Sequence, residues 1–82
     1  MHYELFISEK ARRHLHGLDK TVRRQIGQRV EAMRDDLHGD VRKLEGKSNR
    51  YRLRVGNHRV LFTLERGVIA IYAVKDRKEA YE

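Results

Sequence analysis

The sequence predicts an α+β fold. It reads as a compact β-α-α-β-β-β domain, with two N-terminal helices packed on one face of a largely antiparallel four-stranded sheet. Three observations carry this. Val22, Ile26, Val30 and Met33, with Leu37 at the end, follow the i, i+4, i+8, i+11 spacing of a helix lying on a core. From Arg50 to Val55 the chain alternates strictly between arginine and apolar residues, the period of a strand with one buried face. From Val68 to Val74 it is apolar on both faces, as a strand in the sheet interior should be. Each part has a single apolar side to hide, so the helices must cover the sheet.

The elements follow in order. His2 to Ile7 reads as a first strand, with Tyr3, Leu5 and Ile7 on one face. Ser8 suits an N-cap and Glu9 the first turn, where the helix dipole favours an acid. That short helix should reach about His16 and stop at Gly17. Asp19 is a second candidate cap, ahead of the helix that carries the apolar stripe. Asp36 to Asn49, with Gly39, Gly46, Ser48 and Asn49, reads as loop, interrupted by Lys43-Leu44. Three strands close the chain, over Arg50–Val55, His58–Leu64 and Val68–Lys75. Gly56-Asn57 and Glu65-Arg66-Gly67 supply the turns between them.

The 82 residues make one domain with one core, residues 1–82, burying roughly 60% of the unfolded surface. Without cysteine there is neither a disulfide framework nor a thiolate metal site. No metal or other cofactor is expected: His14 and His16 lie about 200° apart on a helix, with no third ligand in sight. No small-molecule ligand is indicated either. No apolar run approaches the roughly 18 residues of a membrane span, and MHYELFISEK lacks the shape of a signal peptide, so a soluble cytoplasmic protein with no membrane partner is expected.

The formal charge is +7, and it is localised. Between Arg42 and Arg59 stand seven Lys/Arg against the single acid Glu45, a net of +6 in eighteen residues. Arg50, Arg52 and Arg54 share one strand face, and the hairpin brings Arg59 back beside them. Like charges so placed destabilise a sheet, and a polyanion such as a nucleic-acid backbone would offset that cost. The plainer alternative is a solvated sheet face. Tyr51 and Tyr72 read as core or wall residues, and His58 reads first as a hairpin residue.

Taken together, several motifs resemble the RelE-type toxins of the RelE/ParE superfamily, over essentially the whole chain. They are Tyr3-Glu4-Leu5-Phe6-Ile7-Ser8, Ala11-Arg12-Arg13-x-Leu15, Lys43-Leu44-x-Gly46, Tyr51-Arg52-Leu53-Arg54-Val55-Gly56, His58-Arg59-Val60-Leu61-Phe62 and Val74-x-x-Arg77-Lys78-Glu79-Ala80-Tyr81. The resemblance implies a ribosome-dependent mRNA interferase. Such toxins enter the ribosomal A site, where a ribose 2′-OH attacks the adjacent phosphate without a metal. It implies catalytic roles for Arg52, Arg54, Arg59, Arg77 and Tyr81, with Lys75 a competing alignment for Arg77. Lys43, Lys47, Arg50, Lys75, Lys78 and His58 would contact RNA or ribosome.

One departure matters. The best-known branch has lysines where this chain has Arg52 and Arg54. Arginine does not give up its proton, so both can stabilise phosphate charge but neither can act as a base. Proton transfer then falls to Tyr81, His58, Lys75 or ribosomal groups, and Tyr81 is favoured. The resemblance also implies a cognate antitoxin, a small acidic or amphipathic chain that folds as it binds. Two alternatives stay open: a ParE-like poison of DNA gyrase, and a non-catalytic basic module that binds nucleic acid.

Overall fold

The computed structural model of the protein describes residues 2–46 and 49–76. Its elements are β1 (Glu4–Ile7), α1 (Glu9–His16), α2 (Lys20–Asp36), β2 (Asp40–Lys43), β3 (Arg50–Val55), β4 (His58–Glu65) and β5 (Val68–Asp76). The strands form one sheet in the order β1-β5-β4-β3-β2. Every neighbouring pair is antiparallel except β1 and β5, which run parallel from Glu4↔Val68 to Ile7↔Ile71. Among the described residues no helix is long and apolar enough to cross a membrane.

The sheet has five strands, where the sequence led us to expect four. The addition is β2, in a stretch that reads as loop because Val41 is its only apolar residue. Its backbone pairs with β3, and Val41 sits opposite Leu53, where it packs against the core. A four-residue edge strand with one inward apolar side chain has no alternation of hydrophobicity to read. At the other edge, β1 begins at Glu4 rather than His2, although Tyr3 still packs on the core. Tyr3 is tied to α2 by its own N–H, which donates to the Arg34 carbonyl at 2.6 Å, and by the Arg34 Nε, which donates to the Tyr3 carbonyl at 3.3 Å.

The helices begin and end largely as their residues dictate. The Ser8 hydroxyl accepts the Ala11 N–H at 3.1 Å, satisfying one of the donors left over at the start of α1. Asp19 holds the same position before α2, but its side chain makes no capping bond. Helix α2 ends at Leu37 in a left-handed conformation (φ 59°), its N–H bonded to the Met33 carbonyl. Ile26, Val30 and Met33 face inward and share one buried cluster with Leu53, Val60 and Phe62 of the sheet. Tyr51 stacks on Phe62, with ring centroids 5.6 Å apart. Side chains of this size contribute about 1.5–3 kcal/mol each when fully buried.

Two turns and a bulge set the phase of the sheet. In the β3–β4 hairpin, Val55↔His58 closes over Gly56-Asn57, and Gly56 takes the positive φ (59°) that a type II′ turn requires of its first central residue. Between β4 and β5, Arg66 (φ 51°) and Gly67 (φ 78°) both turn left-handed, the type I′ pattern. Further along the same pair, Leu61 faces Ala73 while Phe62 faces Ile71, so Tyr72 is an extra residue with nothing opposite. The alternation of β5 resets there. Ile69 and Ile71 are buried in the core before the bulge, and Val74 after it.

Candidate nucleic-acid interface

Residues directly opposite one another on adjacent strands share a face. On the face turned away from the core, three of the cross-strand rows carry the basic residues. The first is Asp40–Arg54–Arg59–Lys75, the second Arg42–Arg52–Leu61–Ala73, and the third Arg50–Thr63–Ala70–Phe6. The alternation of β3 thus does what its spacing predicts: Leu53 and Val55 are buried, and the three arginines lie on the opposite face.

Over these rows lies a basin of about 650 Å³. Arg50, Arg52, Arg59 and Lys75 line it, with Leu61 and Ala73 as a nearly buried floor. Two of the guanidiniums are held by neighbours. The Arg52 side chain is only 15% exposed, and its Nη1 lies 3.4 Å from the Asp40 carbonyl oxygen and 3.7 Å from the Asp40 carboxylate. The Arg50 guanidinium lies over the Tyr72 ring, 5.4 Å from its centroid.

The other residues expected at the site divide. Arg54 joins the first row and is exposed, outside the lining of the basin. Lys43 pairs with Tyr51 and His58 with Val55, which assigns both to the opposite side of the sheet. There His58 borders a separate hollow with Arg13, His14, Leu18 and Asp76. Lys47, Arg77, Lys78 and Tyr81 lie outside the described residues.

The lining also holds residues outside the expected site, among them Lys10, Glu45 and Tyr72, the last read from the sequence only as a core or wall residue. Lys10, in the first turn of α1, reaches the basin because β1 stops opposite Ile71 and β5 continues without a described strand on that side. Nothing in the local sequence marks it, since the juxtaposition spans more than sixty residues. Glu45 is the only carboxylate among the described residues that line the basin. Tyr72 belongs to the bulge.

Such a basin can neutralise a phosphodiester and stabilise extra charge on phosphorus, an electrostatic task that fixed guanidiniums perform well. It offers few groups for proton transfer, since Arg50, Arg52 and Arg59 keep their protons.

Residues 5–81 match the model of the family described as ParE toxin of type II toxin-antitoxin system, parDE. Among solved structures, the chain is similar to one from the archaeal RelE–RelB complex of Pyrococcus horikoshii OT3, with 28% identity and a TM-score of 0.81, covering 98% of this chain and 100% of that one. A chain of the RelB–RelE antitoxin–toxin complex of Methanococcus jannaschii is 25% identical with a TM-score of 0.80, covering 93% of this chain and 94% of that one. The E. coli toxin RelE shares the fold at 20% identity, with a TM-score of 0.81 over 98% of this chain and 88% of its own. No curated protein matches the sequence significantly. A basic sheet face backed by two helices, the family match over nearly the whole chain and these shared folds lead to one conclusion: the chain belongs to the ParE toxin family of type II toxin–antitoxin systems, within the RelE/ParE superfamily.

Proposed function

We propose that this toxin is a ribosome-dependent endoribonuclease that cuts mRNA in the A site. The observation that carries the reading is the gathering of Arg50, Arg52, Arg59 and Lys75 around one basin on the open sheet face. In the reaction a ribose 2′-OH loses its proton and attacks the adjacent phosphate, and the 5′-oxygen leaves with a proton. The products are a 2′,3′-cyclic phosphate and a 5′-hydroxyl. Arg52 and Arg59 bind the phosphate and stabilise the added charge, with Arg54 and Arg77 supporting them. Tyr81 accepts or positions the 2′-OH proton. A chain with so few proton-transfer groups is a poor nuclease by itself, and the ribosome supplies the remainder by holding the mRNA ready for in-line attack.

The partner is a cognate antitoxin. RelE chains similar to this one were solved in complex with RelB, and a domain of formal charge +7 suits an acidic chain that folds on binding. The ribosome and its mRNA complete the set, which makes the cytoplasm the site of action.

The test is primer extension on a defined mRNA, with and without programmed ribosomes, using wild type, Arg59→Ala and Tyr81→Phe. Cuts that need ribosomes and weaken in both variants are expected. The family match is to ParE, so gyrase poisoning is the second reading. Absence of cuts in both arms, together with loss of supercoiling by purified gyrase, would establish it instead.

A further inference from the structure

The bulge in β5 does more than reset the phase of the core side chains. Ile71 and Val74 are buried on either side of it, while Tyr72 and Ala73 both line the basin. A bulge re-aims a side chain at the cost of a ladder position. Here it delivers the one described aromatic ring that lines the basin, beneath the Arg50 guanidinium at 5.4 Å. Arg59 on the adjacent strand and Lys75 further along β5 also line the basin and can hold phosphate.

We propose that Tyr72 and Arg50 form a nucleobase-stacking platform, which takes an unpaired base of single-stranded RNA while Arg59 and Lys75 hold a neighbouring phosphate. This rests on the reading of the basin as an RNA site. Proteins that bind single strands combine a cationic track with aromatic faces or guanidinium planes on which bases lie. Both surfaces are present, with the Arg50 guanidinium over the Tyr72 ring at 5.4 Å from its centroid. Leu61 and Ala73 add a flat apolar floor that could not bond a peptide carboxylate but can lie under a ring. Tyr72 is three residues from Lys75 along β5, about 10 Å of strand, so base and phosphate sites lie within one nucleotide's reach. The basin's 650 Å³ falls within the roughly 300–1,000 Å³ of small-ligand sites. An acidic protein segment would use the cations but not the ring.

The experiment measures binding of a five-nucleotide oligouridylate and of the same oligomer with abasic sites, which carries equal charge. Wild type is expected to prefer the base-containing oligomer by about 5- to 100-fold. Tyr72→Leu should collapse that ratio toward one with an unchanged salt slope, and Tyr72→Phe should preserve it. Equal binding of both oligomers by wild type overturns the platform yet leaves the basin as a phosphate site. If wild type binds neither oligomer, the platform is overturned, while primer extension on ribosomes decides the RNA reading separately. Polyglutamate of matched charge binding as tightly as the oligouridylate would assign the basin to an acidic chain and overturn the proposal. The wild-type comparison decides the matter even if Tyr72→Leu does not fold.

Discussion

Arg52 reaches past its direct cross-strand neighbour to Asp40, placing its Nη1 3.4 Å from the Asp40 carbonyl oxygen and 3.7 Å from the carboxylate. The acid belongs to the same row as Arg54 and Arg59, so it sits among the like charges it helps to hold apart. Asp40 therefore has two opposed effects: it fixes Arg52 and it lowers the positive potential of the face. Asp40→Asn should bind a single-stranded oligonucleotide about two- to five-fold more tightly at low salt. It should also lose up to about 1 kcal/mol of stability, because the carboxylate is half exposed and such pairs are weak. Anisotropy titration and thermal melting, run side by side, check the two signs.

The salt dependence of oligonucleotide binding should count the cations of the face. Each phosphate contact contributes a slope of about 0.7 in log K against log salt for single strands. Arg54→Ala should lower the slope by about that amount. Lys43→Ala should leave it almost unchanged, since Lys43 is paired with Tyr51 on the other side of the sheet. Equal losses in both variants would mean that the sheet face does not define the binding surface.

Removing the cap of α1 should weaken the whole domain. Ser8→Ala deletes the oxygen that accepts the Ala11 N–H, at a cost of about 1 kcal/mol. In a domain this small the melting temperature should fall by about 4–8 °C. Ser8→Asp should recover most of it, because aspartate caps equally well.

The β4–β5 turn can be improved. Arg66 carries a β-carbon in a left-handed conformation that asparagine adopts more easily. Arg66→Asn should stabilise the protein by up to about 1 kcal/mol, read as a higher melting temperature. It should leave ribosome-dependent cutting intact, since Arg66 lies outside the basin lining.

Much of this arrangement was legible because one face of each element is so different from the other. The alternation of Arg52 and Arg54 with Leu53 and Val55 fixed both the strand and the direction of its charges, and the α2 stripe did the same for the helix. What stayed hidden was whatever lacks a period. Strand β2 offers only Val41. The bulge lies within Ile71-Tyr72-Ala73-Val74, where apolar residues on both faces leave no mark when the phase slips. Lys10 reaches the basin through tertiary placement alone. His58 and Lys43 were grouped with the arginines by sequence proximity, while the register sends them to the other face.

The parallel pairing of β1 with β5 joins Glu4 to Val68, sixty-four positions apart, and leaves β1 with no other described strand beside it. Closing so long a loop is slow compared with forming the hairpins of β3, β4 and β5. During synthesis β1 must wait, its inward Leu5 and Ile7 uncovered, until every other described element has emerged. A nascent chain stopped before Val68 has the arginine strand but lacks the seat on which β1 docks and from which α1 starts. Assembly of the basic face into its working form is thereby deferred until β5 has been made, a timing built into strand order alone.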